Sequence, residues 1–188
     1  MDCFKNEELF RMAVKVSFLF ASNKKWWAFL SPVIMSVSKT DFSHCAILVE
    51  WNGKFKIYHS EFPHGYSQEF SDWLKTYTIR HQFSANVQDL DQAYEIVKWL
   101  NKEVVKRYSI LQLLLILAYK MIPSQRNRIA GWIINGDYRD VCSEFMASFM
   151  VKFFGVSFEK SDDVIDLNDV FEMAKQIDWS RRHDQYNF

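Results

Sequence analysis

The 188-residue chain has few of the residues that characterise fibrous, disordered or nucleic-acid-binding proteins. It contains only 5 glycines and 3 prolines, with no internal repeat and no low-complexity tract, which excludes a fibrous or disordered chain. Its 23 basic and 23 acidic residues give a net charge of zero. Proteins that bind nucleic acid usually carry a basic excess that releases counterions from phosphates, so we expect no nucleic-acid partner.

Cysteine is also scarce. Cys3, Cys45 and Cys142 are too few and too widely spaced for a disulfide framework or a C-x-x-C metal motif, and they favour a reducing compartment. The N-terminus lacks the apolar core of a signal peptide. The apolar stretch 110–122 is shorter than the roughly 18 residues of a membrane span. We therefore expect a cytoplasmic protein without a transmembrane segment, for which contact with a bilayer surface stays open.

Aromatic residues, in contrast, are abundant. The chain has 17 Phe, 7 Trp and 8 Tyr, and 49% of its residues are hydrophobic. This composition supplies enough apolar surface for a sizeable core, and the length suits one ordinary domain. We predict a single domain over residues 1–188, with its core within about residues 13–178.

The clearest local pattern is a β-hairpin in residues 44–61, HCAILVEWNGKFKIYHSE. Two β-prone runs flank Asn52-Gly53, a dipeptide that favours a two-residue type I′ turn. This turn pairs Trp51 with Lys54 and thereby fixes the register of the whole hairpin.

The predicted register brings polar side chains together at the open end of the hairpin. His44 lies opposite Glu61, and Ala46 lies opposite His59. Because alternate residues of a strand point to opposite faces, these four side chains share one face of the sheet.

The rest of the chain is predicted to contain both helices and strands. Strands are indicated over 13–20 and 76–83, a polar loop over 123–140 and a frayed end over 180–188. The helical segments are a partly helical one over 23–39, a short helix over 70–75, an amphipathic helix over 89–107, a buried helix over 109–122 and a helix over 141–155 that ends at Gly155.

Cys142 and His44 are the residues that best suit nucleophilic catalysis. Cys142 lies in the first turn of its predicted helix, where free amides and the helix dipole favour a thiolate; a small buried structural cysteine is the alternative. His44 is suited to accept the thiol proton, and His59 or Glu61 is suited to orient the imidazole. The spacing of His59 and His64 matches no zinc motif, so we expect neither a metal nor another cofactor.

Two segments resemble a known family. TDFSHCAILVEWNGKFKIYHSE resembles the "S-H-v-a-i…g-d-g…v-i-E/H-a" hairpin of circularly permuted papain-like enzymes, the YiiX-like relatives of NlpC-type cell-wall amidases. VCSEFMASFM resembles their later "C-S-e-f-v-a" helix. The histidine strand precedes the cysteine helix, which is the reverse of papain, and lecithin:retinol acyltransferase and its relatives share this order. The resemblance covers roughly residues 15–175, but Phe20-Ala21-Ser22-Asn23 replaces the family's "l-r-p-G-D" entrance.

The resemblance implies an α+β, permuted papain-like fold in which a small antiparallel sheet packs against helices, including the helix that bears Cys142. It implies that Cys142 is the nucleophile and His44 the base. For the third catalytic residue it favours His59 over Glu61. Tyr108 matches a tyrosine that lines the cleft in this group, with a core aromatic as the equal alternative.

The activity that the resemblance implies is thiol-dependent hydrolysis or acyl transfer at an amide or ester, without a cofactor. A cell-wall peptide and a lipid acyl group are the two candidate substrates. Because the sequence shows no export signal, a cell-wall target fits a phage-encoded enzyme that reaches the wall through lysis or a virion. A catalytically inactive binding module on the same fold is the alternative function.

Overall fold

The computed structural model describes residues 14–24, 30–61, 65–87, 89–105, 110–125, 127–129, 141–158 and 165–184. The predicted cleft residue Tyr108, and also His64 and Cys3, lie outside the described residues. The same is true of most of the predicted polar loop over 123–140, namely residue 126 and residues 130–140.

The protein has an α+β fold, as predicted, built on a five-stranded antiparallel sheet. The spatial order of the strands is β4-β3-β2-β1-β5, so the hairpin of β2 and β3 is central. The strands are β1 Val14–Asn23, β2 His44–Trp51, β3 Lys54–His59, β4 Tyr66–Glu69 and β5 Tyr77–Val87.

Most of the helices in the described ranges match the predicted segments. The helices are α1 Leu30–Ser38, α2 Phe70–Thr76, α3 Leu90–Glu103, α4 Ile110–Met121, α5 Cys142–Phe154 and α6 Leu167–Asp184, with a short 3-10 helix at Pro123–Gln125. None of the helices within the described ranges has both the length and the apolar character needed to cross a bilayer.

The central hairpin has the predicted register. Asn52 and Gly53 form its turn with positive φ angles of 50° and 71°, as a type I′ turn requires. Trp51 pairs with Lys54, and the register continues to the pairing of Ile47 with Tyr58. The turn chemistry therefore decides which side chains of β2 and β3 share a face.

The two faces of the sheet carry different layers. One face packs against α3, α5 and α6, and this larger core contains the predicted apolar residues of α5, among them Phe145, Met146, Phe149 and Met150. The opposite face packs against α2 and contains Leu19, Ala21, Ala46, Leu48, Ile57, Trp73 and Tyr77.

The prediction of a frayed end from residue 180 is wrong for residues 180–184, because α6 extends to Asp184. Asp166 begins this helix by accepting hydrogen bonds through Oδ1 from two first-turn amides. Most residues of α6 are polar, but Val170, Ala174 and Ile177 are buried and recur at helical spacing. This apolar stripe is hard to recognise in the sequence among so many polar residues.

The prediction of a buried helix over 109–122 is correct only in part. Ile116 and Leu117 of α4 are buried, but Leu111 and Leu114 are exposed. An apolar sequence predicts a helix that avoids water, whereas the number of sides that neighbouring elements cover depends on tertiary packing.

Candidate active site

Cys142 is the first residue of α5 and is buried. Val141 precedes it in extended conformation, and its backbone N–H donates a 3.1 Å hydrogen bond to the Glu144 carboxylate. This contact caps the N-terminus of the helix, so that Cys142 is its first residue. Gly155, with a φ of 66°, ends the helix. The Cys142 side chain therefore lies at the positive end of the helix dipole, as the sequence predicted.

His44 lies between Cys142 and His59. It is the first residue of β2, and it is buried with its ring stacked on Tyr77 at a centroid distance of 4.8 Å. His44 Nε2 lies 3.0 Å from His59 Nδ1. The ring also interacts with the Cys142 side chain, which acts to raise the pKa of His44. Because Nε2 faces His59, Nδ1 is the nitrogen available to the sulfur.

His59 is the last residue of β3 and is fully buried. The ring of Tyr66, its partner on β4, packs against it edge-on at 4.5 Å between centroids. Its second ring nitrogen, Nε2, lies 3.2 Å from Gln68 Nε2. Both nitrogens of His59 therefore have polar partners.

Glu61 lies close to the two histidines but binds tyrosines. Its carboxylate accepts a 2.5 Å hydrogen bond from the Tyr77 hydroxyl and a 2.9 Å hydrogen bond from the Tyr66 hydroxyl. Of the two alternatives for the third residue, His59 is the one that contacts His44 Nε2. The negative charge of Glu61 still acts on His44 and helps to raise its pKa.

The electrostatics of the cluster favour a thiolate beside an imidazolium. A hydrogen bond from the Cys45 side chain lowers the pKa of Cys142 well below that of an ordinary thiol; burial opposes this, and the hydrogen bond and charge of His44 reinforce it. Burial alone lowers the pKa of His44, but the hydrogen bond and the charge of Cys142 outweigh it, so that the pKa is raised. Burial, followed by repulsion from His44, keeps the pKa of His59 well below its usual value.

Cys45 is a site residue that the sequence analysis did not identify. Its thiol donates a 3.1 Å hydrogen bond to the Cys142 carbonyl oxygen, and both cysteines are free. Burial raises the pKa of Cys45 well above its usual value, so it stays protonated and acts as a donor. The alternation of β2 was the available signal, because it turns Cys45 away from His44 and toward the face that α5 covers.

A small cavity of about 20 Å³ beside Cys142 is bounded by α1, by α4 and by the beginnings of α5 and α6. Its polar lining consists of Ser38, Ser43, Ser143 and Asp166, and Ser43 accepts a 2.5 Å hydrogen bond from Ser31. Most of the lining is apolar and consists of Ile34, Leu113, Ile116, Leu117, Val141 and Leu167.

Other titratable residues lie apart from these contacts. His81 Nε2 is hydrogen-bonded to Asp41 at 2.8 Å, and its ring packs against Phe42 and Phe171. In the part of the chain that the structure describes, no three histidine, cysteine or acidic side chains are grouped as metal ligands.

No protein-family model matches the chain, and no curated protein matches it at significant similarity. The resemblance to permuted papain-like enzymes therefore depends on the residues of the central hairpin and of the first turns of α5. These are the two segments that contribute His44, His59 and Cys142 to the cluster.

Proposed function

We propose that the protein is a cysteine hydrolase or acyltransferase with a permuted papain-like arrangement, which cleaves an amide or ester through an acyl-enzyme on Cys142. One observation carries this proposal: the buried ring of His44 contacts His59 at 3.0 Å and interacts with Cys142 closely enough that each of the two shifts the pKa of the other. Nucleophile, base and orienting group are the parts that covalent acyl transfer requires.

In the first half of the reaction, the Cys142 thiolate attacks the carbonyl carbon of the substrate. The carbonyl oxygen becomes an oxyanion near the backbone N–H of Cys142, a first-turn amide without an intrahelical partner. The His44 imidazolium then gives its proton to the leaving amine or alcohol, and a thioester remains on the sulfur. During this step, Nδ1 of His59 accepts a hydrogen bond from the Nε2–H of the charged His44 ring.

In the second half, neutral His44 removes a proton from water or from an acceptor alcohol or amine. The resulting nucleophile attacks the thioester, and the acid or the transferred acyl product leaves. The Cys142 thiolate and the His44 imidazolium are then paired again. No cofactor takes part in either half of the cycle.

The lining of the cavity supports a lipid acyl group as the substrate. Leu113, Ile116 and Leu117 of α4 offer hydrocarbon surface next to the sulfur. A fatty acyl chain gains free energy when it leaves water for such a surface, whereas a polar cell-wall peptide needs hydrogen-bonding partners there. A cell-wall peptide is therefore the competing substrate class in the test.

The test compares the wild-type protein with Cys142→Ala on nitrophenyl esters of increasing acyl length and on cell-wall stem peptides. We expect a mass increase of one acyl group on Cys142 and a loss of turnover of roughly 10³-fold or more in Cys142→Ala. Cys3→Ala, which removes a thiol outside both motifs, should keep its activity. A wild-type protein that forms no acyl adduct, and whose three thiols react equally slowly with iodoacetamide, would instead be a binding module.

A further inference from the structure

Gln68 is the outermost side chain in a line of polar contacts that starts at Cys142. It belongs to β4, where it pairs with Ile57, and it lies two residues from Tyr66, the partner of His59. Residues two apart on a strand share a face, so Gln68 is a diagonal neighbour of His59. Its amide nitrogen lies 3.2 Å from His59 Nε2.

The hydrogen bonds among these residues can run in two directions. In the structure, the Gln68 amide N–H donates to His59 Nε2. The proton of a neutral His59 is then on Nδ1, from which it is donated to His44 Nε2. A neutral His44 in this arrangement carries its own proton on Nδ1, and it cannot accept the proton of Cys142.

Catalysis needs the opposite direction. A base that takes the thiol proton on Nδ1 must keep its other proton on Nε2, and this Nε2–H must donate to the lone pair of His59 Nδ1. The proton of His59 is then on Nε2, where it needs an acceptor. The Gln68 amide supplies one after a half-turn of its terminal group, which exchanges nitrogen for oxygen without other movement.

We propose that Gln68 is a positioning residue whose side-chain oxygen holds the proton of His59 on Nε2, so that His59 Nδ1 can accept the hydrogen bond of the charged His44. This inference rests on the proposed function, and it assigns Gln68 a role in the nucleophile–base pair without contact with the substrate.

The surroundings of His59 make Gln68 the residue that determines which ring nitrogen of His59 carries the proton. Burial and the charge of His44 keep the pKa of His59 well below its usual value, so the ring carries one proton and must place it on one of two nitrogens. The rings of Tyr66 and Trp73 pack edge-on against the imidazole and hold it in one orientation. A rotating amide on a half-exposed strand is the adjustable partner.

Two variants of similar length separate the roles of the amide. Gln68→Met removes both donor and acceptor, whereas Gln68→Glu keeps acceptor oxygens and removes the donor. The readout is the rate at which iodoacetamide labels Cys142 between pH 5 and pH 9 (about the span between ordinary carboxyl and thiol pKa values), followed by mass spectrometry of the Cys142 peptide. This readout needs no substrate.

We expect Gln68→Met to label Cys142 about tenfold more slowly on the acidic side, as for one lost hydrogen bond, and Gln68→Glu to label it at least as fast as the wild type. Equal rates in Gln68→Met and the wild type would overturn the inference. Equally slow labelling in both variants would also overturn it, because a merely structural role predicts that any substitution does damage.

Nitrogen NMR of ring-labelled histidine tests the same inference in the wild-type protein, where no variant can misfold. We expect His59 to be protonated at Nε2 and unprotonated at Nδ1, and the reverse tautomer would overturn the role of Gln68. A wild-type Cys142 that reacts like an ordinary thiol at all pH values would overturn the proposed function itself. The two failures are thus distinguishable.

Discussion

Single buried side chains determine the chemistry of the site. Cys142, His44 and His59 are each removed from water, so a charge on any of them must be balanced by a neighbour. The pKa shifts of Cys142 and His44 favour a negative sulfur beside a positive ring, whereas the lowered pKa of His59 favours its neutral form. Cys45 and Gln68 complete the cluster as hydrogen-bonding neighbours.

Turnover at Cys142 should follow a bell-shaped dependence on pH. On the acidic side the rate rises as Cys142 loses its proton, at a pH below the ordinary thiol range because its pKa is lowered. On the basic side turnover falls as His44 loses its proton, at a pH above the usual value of 6.5 because its pKa is raised. Between the two limits the thiolate–imidazolium pair persists.

Cys45→Ala tests the first cause of this behaviour. Because the Cys45 thiol is the largest influence that lowers the Cys142 pKa, its removal should move the acidic limb to higher pH and leave the basic limb in place. The measurement is the pH profile of iodoacetamide labelling and of turnover, with Cys3→Ala as the matched control. An unchanged acidic limb would assign the lowered pKa to His44 and the helix dipole instead.

An element could be predicted from the sequence where a local turn fixes it, and could not where only pairing with another strand forms it. The hairpin was predictable because Asn52-Gly53 fixes its register locally. The edge strand Tyr66–Glu69 was not, since its four residues have no apolar alternation and become a strand only by pairing with β3. Gln68 was therefore missed as a partner of His59.

The same limit applies within the candidate site. The hairpin register predicted that His44 and His59 share a face, and the resemblance predicted that Cys142 would accompany them. Contacts between residues 44–45 and Cys142 span almost 100 positions of the chain, so no local pattern could predict the Cys45 hydrogen bond. Such contacts are decided by how α5 packs on β2.

Gly65 connects the backbone near the site to β4. A Cβ at this position would lie 2.2 Å from the Val104 carbonyl oxygen and 3.0 Å from that of His59. Because both neighbours are backbone atoms, Gly65→Ala should displace the start of β4, destabilise the fold by about 2 kcal/mol and slow the labelling of Cys142. The measurements are urea unfolding and the iodoacetamide rate at pH 7.

Gly155→Ala is the matched control for this prediction. Gly155 has a positive φ but open space around its Cα, and it lies at the far end of α5 from Cys142. Alanine there should cost about 1 kcal/mol through backbone strain and leave the labelling rate unchanged. If both variants lose stability but label alike, the position of β4 does not influence the thiol.

At the scale of the whole molecule, Cys142 and His44 pack with the cores on opposite faces of the sheet. Cys142 belongs to a helix on one face, whereas the His44 ring stacks on Tyr77, which belongs to the core of the opposite face. His44 begins β2, so the two side chains meet at the end of the strand. The cavity beside Cys142 lies at this meeting point, between α1 and α4.

The proposed preference for a lipid acyl group depends on residues of α4, and Leu117→Trp tests it. Leu117 is buried and lines the cavity beside Cys142, so an indole there should obstruct an acyl chain that reaches the sulfur along α4. We expect kcat/KM for long-chain esters to fall at least about tenfold relative to acetyl esters. Leu114→Trp, on the exposed side of α4, adds the same bulk outside the cavity and should leave the chain-length preference unchanged. If both variants lose long-chain and acetyl turnover in the same proportion, the apolar lining does not select an acyl chain, and the cell-wall peptide becomes the preferred substrate class.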